Sequence, residues 1–182
     1  MSSKLSGTAT VLLIIAAAAL SRVLHVIPNM APMTALAVFG AWSFRSTRLA
    51  YAVPLLAMLV GDVGLAVAKN DISYAVHDTQ FAVYACLIVT TWISLKLRAE
   101  PSAGRRIVSI VTGSVLFYVV TNFAVWSFSG MYPWSVAGLF ECYVLAIPFF
   151  RTSLVSDLAY GAIMFGAYEF SSRYGRSAVP VK

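Results

Sequence analysis

The chain has 182 residues, 60% of them apolar and 11% charged, with a formal net charge of +6. A soluble domain usually carries about a quarter charged residues, so water as the main solvent is excluded and a polytopic membrane protein is expected. Two cysteines leave no disulfide framework or metal-finger spacing, and a basic excess scattered over short loops reads as orienting loop charge, which excludes a nucleic-acid footprint.

A helix crossing the hydrocarbon takes about 20 mostly apolar residues, because every backbone donor and acceptor has to be satisfied internally. Six such stretches occur in chain order, over about 7–27, 31–45, 48–68, 78–97, 105–127 and 150–172. The second is short, since Pro28 and Pro32 bracket a turn and Pro32 suits a first helical position. A seventh apolar stretch, 134–147, lies between Pro133 and Pro148, carries Glu141 and is too short to span. The expectation is an all-α integral membrane protein: a six-transmembrane-helix bundle with a short re-entrant or interfacial helix between helices 5 and 6, forming one domain over 1–182. A cleaved signal peptide running from Lys4 to Ala16–Ala19 is the competing reading of the start, but the apolar run continues past Ser21 as a spanning helix does.

With a cytoplasmic N-terminus, ten cations fall on the inner side: Lys4, Arg45, Arg48, Lys96, Arg98, Arg105, Arg106, Arg173, Arg176 and Lys182. Arg22, Lys69 and Arg151 fall outside. This bias places both termini in the cytoplasm.

Polar side chains inside spanning helices are costly and normally face a partner or a wet cavity. Arg22 and His25 lie in the last turns of the first span, three apart and so on one face, with Asn29 just beyond. Asp62 falls near the outer end of the third span, Cys86 about eight residues below the outer end of the fourth, and Arg151 with Asp157 in the outer part of the sixth. Tyr118, Asn122 and Trp126 recur every fourth residue down the fifth span, and Gln80 with Tyr84 begins a second stripe on the fourth. The N-termini of spans two, four and six point positive dipole ends toward the same side. The set reads as an outward-open polar and aromatic cavity for a small molecule, with Arg22, His25, Asn29, Asp62, Tyr84, Asn122, Trp126, Arg151 and Asp157 as its ligand-binding residues.

Each signal has a plainer counterpart. Arg22 with Asp62, or Arg151 with Asp157, also fits a structural ion pair, and Trp126, Tyr132, Trp134 and Tyr143 fit an aromatic belt. Cys86 and Cys142 fit inert buried thiols. The small-residue pairs Ala17 and Ser21, Ala37 and Ala41, Gly64 and Ala68, and Ala162 and Gly166 fit close helix packing. The near-repeat of Leu59–Asp62 in Leu154–Asp157 reads as a coincidence, since an inverted repeat sets matching residues at opposite depths and in this topology both aspartates fall in the outer half.

No phosphate loop, zinc-protease motif, nucleophile elbow or dinucleotide fingerprint is present. His25 and His77 are the only histidines. The expectation is a protein that is not an enzyme, holds no cofactor and no metal, and has a small-molecule ligand and the lipid bilayer as partners.

The run Arg22-x-x-His25-x-x-Pro28-Asn29-x-x-Pro32, then Ala35 to Gly40, Pro54 and Asp62, resembles the DUF6580 family of small bacterial membrane proteins of unknown function. Thr121 to Trp126, Met131-Tyr132-Pro133, Gly138-Leu139, Cys142-Tyr143, Ala146 to Phe150 and Asp157-Leu158 extend the resemblance over about 20–170. That family is in turn similar to the substrate-binding S components of energy-coupling-factor (ECF) vitamin transporters, the solitary cobalamin transporter BtuM among them. The resemblance implies a multi-pass protein of the bacterial inner membrane that binds a vitamin-like compound near its outer face, with an ECF coupling subunit and separate ATPases as partners. By the same likeness Cys86 is a candidate cobalt ligand and a corrinoid a candidate solute. The functional expectation is a binding subunit or solitary carrier for uptake of a small nutrient. The alternative is a non-transporting accessory subunit of a larger membrane complex, whose polar residues act as interhelical glue.

Overall fold

The computed structural model of the protein describes residues 14, 16, 17, 20, 32–100 and 102–177. Among these lie five α-helices: α1 (Met33–Ser43), α2 (Thr47–Lys69), α3 (Gln80–Leu97), α4 (Ala103–Phe128) and α5 (Val136–Ser177), with a 3-10 turn, Ile72–Tyr74, between α2 and α3. By length and composition α2 to α5 can each cross a membrane, and α1 cannot. The structure therefore does not support six spanning helices. The span expected over 7–27 lies outside the described residues apart from Ile14, Ala16, Ala17 and Leu20, and 31–45 contains only the 11-residue α1.

The larger correction concerns Pro148. The interfacial helix expected over 134–147 and the span over 150–172 are one continuous helix that runs through it. Proline removes a single amide from the ladder, and a spanning helix tolerates that where neighbours satisfy the backbone. The carbonyl that loses its partner is Val144 O; on either side of it the Thr152 hydroxyl donates to Pro148 O at 3.2 Å, and the Tyr118 hydroxyl of α4 ties down Tyr143 O at 2.6 Å.

Consecutive helices α2, α3, α4 and α5 pack side by side as a wall, and α1 packs against all four. The sequence of α1 explains this position. From Met33 to Ala41 no residue is charged and no face is polar, so the helix is buried all round, and the structure buries every one of those residues. Met33, Leu36 and Ala37 pack with Val53, Ala57 and Met58 of α2 and Val83 and Leu87 of α3. Val38 and Phe39 pack with Ile110 of α4 and Phe165 of α5. Ile14 borders both groups.

Lipid tails are as apolar as these side chains, so small residues and close van der Waals contact, not escape from water, hold the bundle together. Ala37 and Ala41 sit at this contact as the small-residue spacing anticipates, whereas Ala162 and Gly166 face outward. A β-carbon at Gly113 of α4 would stand 2.6 Å from the methyls of Thr34 and Thr90, so only glycine lets α4 approach α1 and α3 this closely. A β-carbon on Gly40 would stand 3.3 Å from Ala50 O, the carbonyl that Pro54 deprives of its helical partner.

At the end of the bundle where α2 and α4 begin and α3 finishes stand Arg45, Arg48, Lys96, Arg98, Arg105 and Arg106. This is the basic end. α1 is about 16 Å long, half the hydrocarbon thickness, and it finishes here.

Candidate functional site

A helix of 11 residues leaves its first N–H and last C=O groups without helical partners, and α1 is buried from Met33 to Ala41. Both ends of α1 are met by charged side chains from distant helices. At the start, Pro32 offers no side-chain cap. The Asp157 carboxylate of α5 accepts instead, from Ala35 N at 3.0 Å through Oδ1 and from the Ser114 hydroxyl of α4 at 2.9 Å through Oδ2, and Thr34 adds a side-chain hydrogen bond. A carboxylate on a helix N-terminus also complements the macrodipole. At the finish, Arg98 Nη1 donates to Ala41 O at 2.7 Å and Phe44 O at 3.0 Å.

Ser114 follows Ala103 by 11 residues and precedes Phe128 by 14, so Asp157 opposite it lies at mid-depth. The expected helix starting at 150 is corrected accordingly: α5 begins at Val136, so the turns ahead of Pro148, and not those around Asp157, form its N-terminal end.

Asp62 occupies a second centre. It stands seven residues before Lys69, toward the end of α2 opposite the basic end, and is 0% exposed. Gln80 Nε2, on the first residue of α3, donates to Asp62 Oδ2 at 3.4 Å, and the Tyr84 hydroxyl one turn later donates to the same oxygen at 3.3 Å. Gln80 and Tyr84 are both half-buried, so this carboxylate is reached through side chains at the rim. Tyr84 also packs on the Met33 and Met58 group at the start of α1.

The other residues singled out in the sequence fall elsewhere. The Tyr118, Asn122 and Trp126 stripe stitches α4 to α5. Tyr118 bonds to Tyr143 O, Asn122 Nδ2 turns back to Tyr118 O at 2.7 Å, and Cys142 Sγ donates to Asn122 O at 3.4 Å. Trp126 Nε1 donates to Pro133 O at 3.0 Å while its ring stacks on Trp134, centroids 5.8 Å apart. Arg151 is exposed, and Asp157 takes its bonds from an amide and hydroxyls. Cys86 is buried, with Sγ 4.0 Å from Leu116 O. No group of three or more metal-ligating side chains occurs among the described residues. Arg22, His25 and Asn29 lie outside the described residues.

The structure thus brings together Asp62, Tyr84 and Gln80, and separately Asp157, Ser114 and Thr34; it joins neither group to Asn122 and Trp126. Ser114, Thr34 and Arg98 escape the sequence reading. Arg98 has the appearance of ordinary loop charge, and the signal that finds it is the shortness of 33–43, which demands a cation at its far end.

The chain belongs to the DUF6580 family, described as a family of unknown function, whose pattern matches residues 2–178. No curated protein and no solved structure matches it.

Proposed function

We propose that this member of the family is a membrane-embedded binding subunit or solitary carrier that holds a small polar organic solute at the end of the bundle opposite the basic one. The carrying observation is Asp62: a fully buried carboxylate near a helix end that accepts from the half-buried Gln80 and Tyr84 at 3.3–3.4 Å. Ionisable groups within spanning helices mark solute pathways as a rule, and a carboxylate whose bonds to Gln80 and Tyr84 are long, at 3.3–3.4 Å, is suited to exchanging them for donors of a ligand. α1 supports the reading as well, because it fills only the half of the bundle axis nearest the basic end. The sequence that leads directly into α1 carries Arg22, His25 and Asn29, which complete the proposed set. Arg22 would hold an acidic or amide group of the solute and Tyr84 would cover a ring face.

A vitamin-like solute and an ECF coupling partner belong to the same proposal and rest on the sequence motifs. Cys86 is not included, since its thiol is packed between α3 and α4. The test is purification in mild detergent followed by mass spectrometry and an absorption spectrum of whatever co-elutes. A small molecule held by the wild type and lost from Asp62→Asn is the expected result, and a corrinoid would declare itself by its colour. A stoichiometric protein partner with no small molecule would overturn the reading in favour of an accessory subunit. That second reading draws its support from Asp157 and Arg98, both engaged in holding helices together.

A further inference from the structure

Around the last turn of α1 stand hydrogen-bonding groups that find no partner among the described residues. Trp42 Nε1, Ser43 Oγ and Arg106 Nε are buried without a partner, and so is Ser94 Oγ, one turn before Arg98 on the same face of α3. Buried donors are nearly always satisfied, so several unsatisfied ones in one neighbourhood call for an occupant that brings acceptors.

The geometry of Arg106 specifies what kind. Its guanidinium lies 5.7 Å from the centre of the Trp42 ring and 4.7 Å from that of Phe165, which fixes its plane. Glu169 takes Nη1 and leaves the Nε edge turned elsewhere. Arg98 reaches the same turn from α3, bonded to the carbonyls of Ala41 and Phe44 that flank Trp42 and Ser43. Arg45, Arg48 and Lys96 are exposed at this end and have no ion-pair partner among the described residues, and Lys96 stands 5.9 Å over the Trp92 ring. The field is positive, Trp42 Nε1 and Arg106 Nε can only donate and the serine hydroxyls can rotate to donate, so the fitting occupant is an anion rich in oxygen. The turn sits where α2 and α4 begin and α3 finishes, the level at which a spanning bundle meets headgroups.

We propose that this turn is a docking site for the headgroup phosphate of an anionic phospholipid. The phosphate oxygens accept from the Trp42 indole N–H, the Ser43 hydroxyl and the Arg106 Nε–H, while Arg98 and the surrounding cations supply charge. The site is at the opposite end of the bundle from Asp62, so its failure and that of the solute-binding reading are separate outcomes.

Native mass spectrometry of the full chain, titrated with phosphatidylglycerol or with phosphatidylcholine of the same acyl chains, tests it. The wild type retains phosphatidylglycerol about tenfold better. Trp42→Phe keeps the ring beneath Arg106 and removes only the donor; it and Ser43→Ala each cut the preference about threefold, and Arg106→Gln abolishes it. Thermal unfolding of Trp42→Phe and Ser43→Ala stays at the wild-type value, and these two decide the matter if Arg106→Gln does not fold. Equal retention of both lipids by the wild type, or an undiminished preference in Trp42→Phe and Ser43→Ala, overturns the proposal. Displacement of bound phosphatidylglycerol by millimolar inorganic phosphate also overturns it, reassigning the site to free phosphate.

Discussion

Two buried aspartates divide the labour of this protein. Asp157 is 3% exposed and accepts from the Ala35 backbone amide and the Ser114 hydroxyl at 2.9–3.0 Å. Asp62 is 0% exposed but accepts from two rim side chains at 3.3–3.4 Å. Burial alone does not distinguish them. The difference lies in what each one satisfies: a helix end that has to be capped in one case, half-buried side chains at long distance in the other, where the proposed solute would bind.

The contrast is open to direct attack. Replacing Asp157 by Ala strips the cap from α1 and leaves Ala35 N–H buried and unpaired, which should cost about 3 kcal/mol in reversible denaturant unfolding in detergent, the largest effect of any single change considered. Gly113→Ala comes next at about 2 kcal/mol, because the new methyl meets Thr34 and Thr90 and forces α4 off α1. Arg98→Gln removes two charge-assisted bonds from the far end of the same helix and should lower stability by about 1.5 kcal/mol.

Asp62→Asn preserves an acceptor for Gln80 and Tyr84, so the expected loss is only about 1 kcal/mol, while retention of the co-purifying solute falls at least about tenfold. Tyr84→Phe sharpens the point with the smallest change: about 0.5 kcal/mol in unfolding and a two- to threefold drop in solute retention. Should Asp62→Asn unfold the protein as readily as Asp157→Ala and leave retention untouched, both carboxylates would be structural and the distinction would vanish.

Much of the wall was legible. The stretches 48–68, 78–97 and 105–127 become Thr47–Lys69, Gln80–Leu97 and Ala103–Phe128, because hydropathy and length report directly on a helix that faces lipid. The reading failed where a proline or a short run was judged in isolation. Pro148 looks like a boundary, yet the helix runs through it, held on either side by bonds from Thr152 and Tyr118 that sequence does not display. The stretch 31–45 looks like a short span, yet α1 is a buried half-length helix whose caps lie 122 and 57 residues away in the chain. Asp62 and Tyr84 were singled out and do meet. Asp157 was placed too near the rim because its helix was started at the wrong proline.

The distant caps of α1 also set an order of events during biogenesis. When residues 33–43 leave the ribosome, neither the guanidinium nor the carboxylate that completes them has been made. A segment too short to insert by itself has to wait, and its N-terminal cap arrives only once α5 has been synthesised. The earliest-made of the five helices is thus the last to be sealed, acting as a keystone that locks the surrounding wall after it has risen.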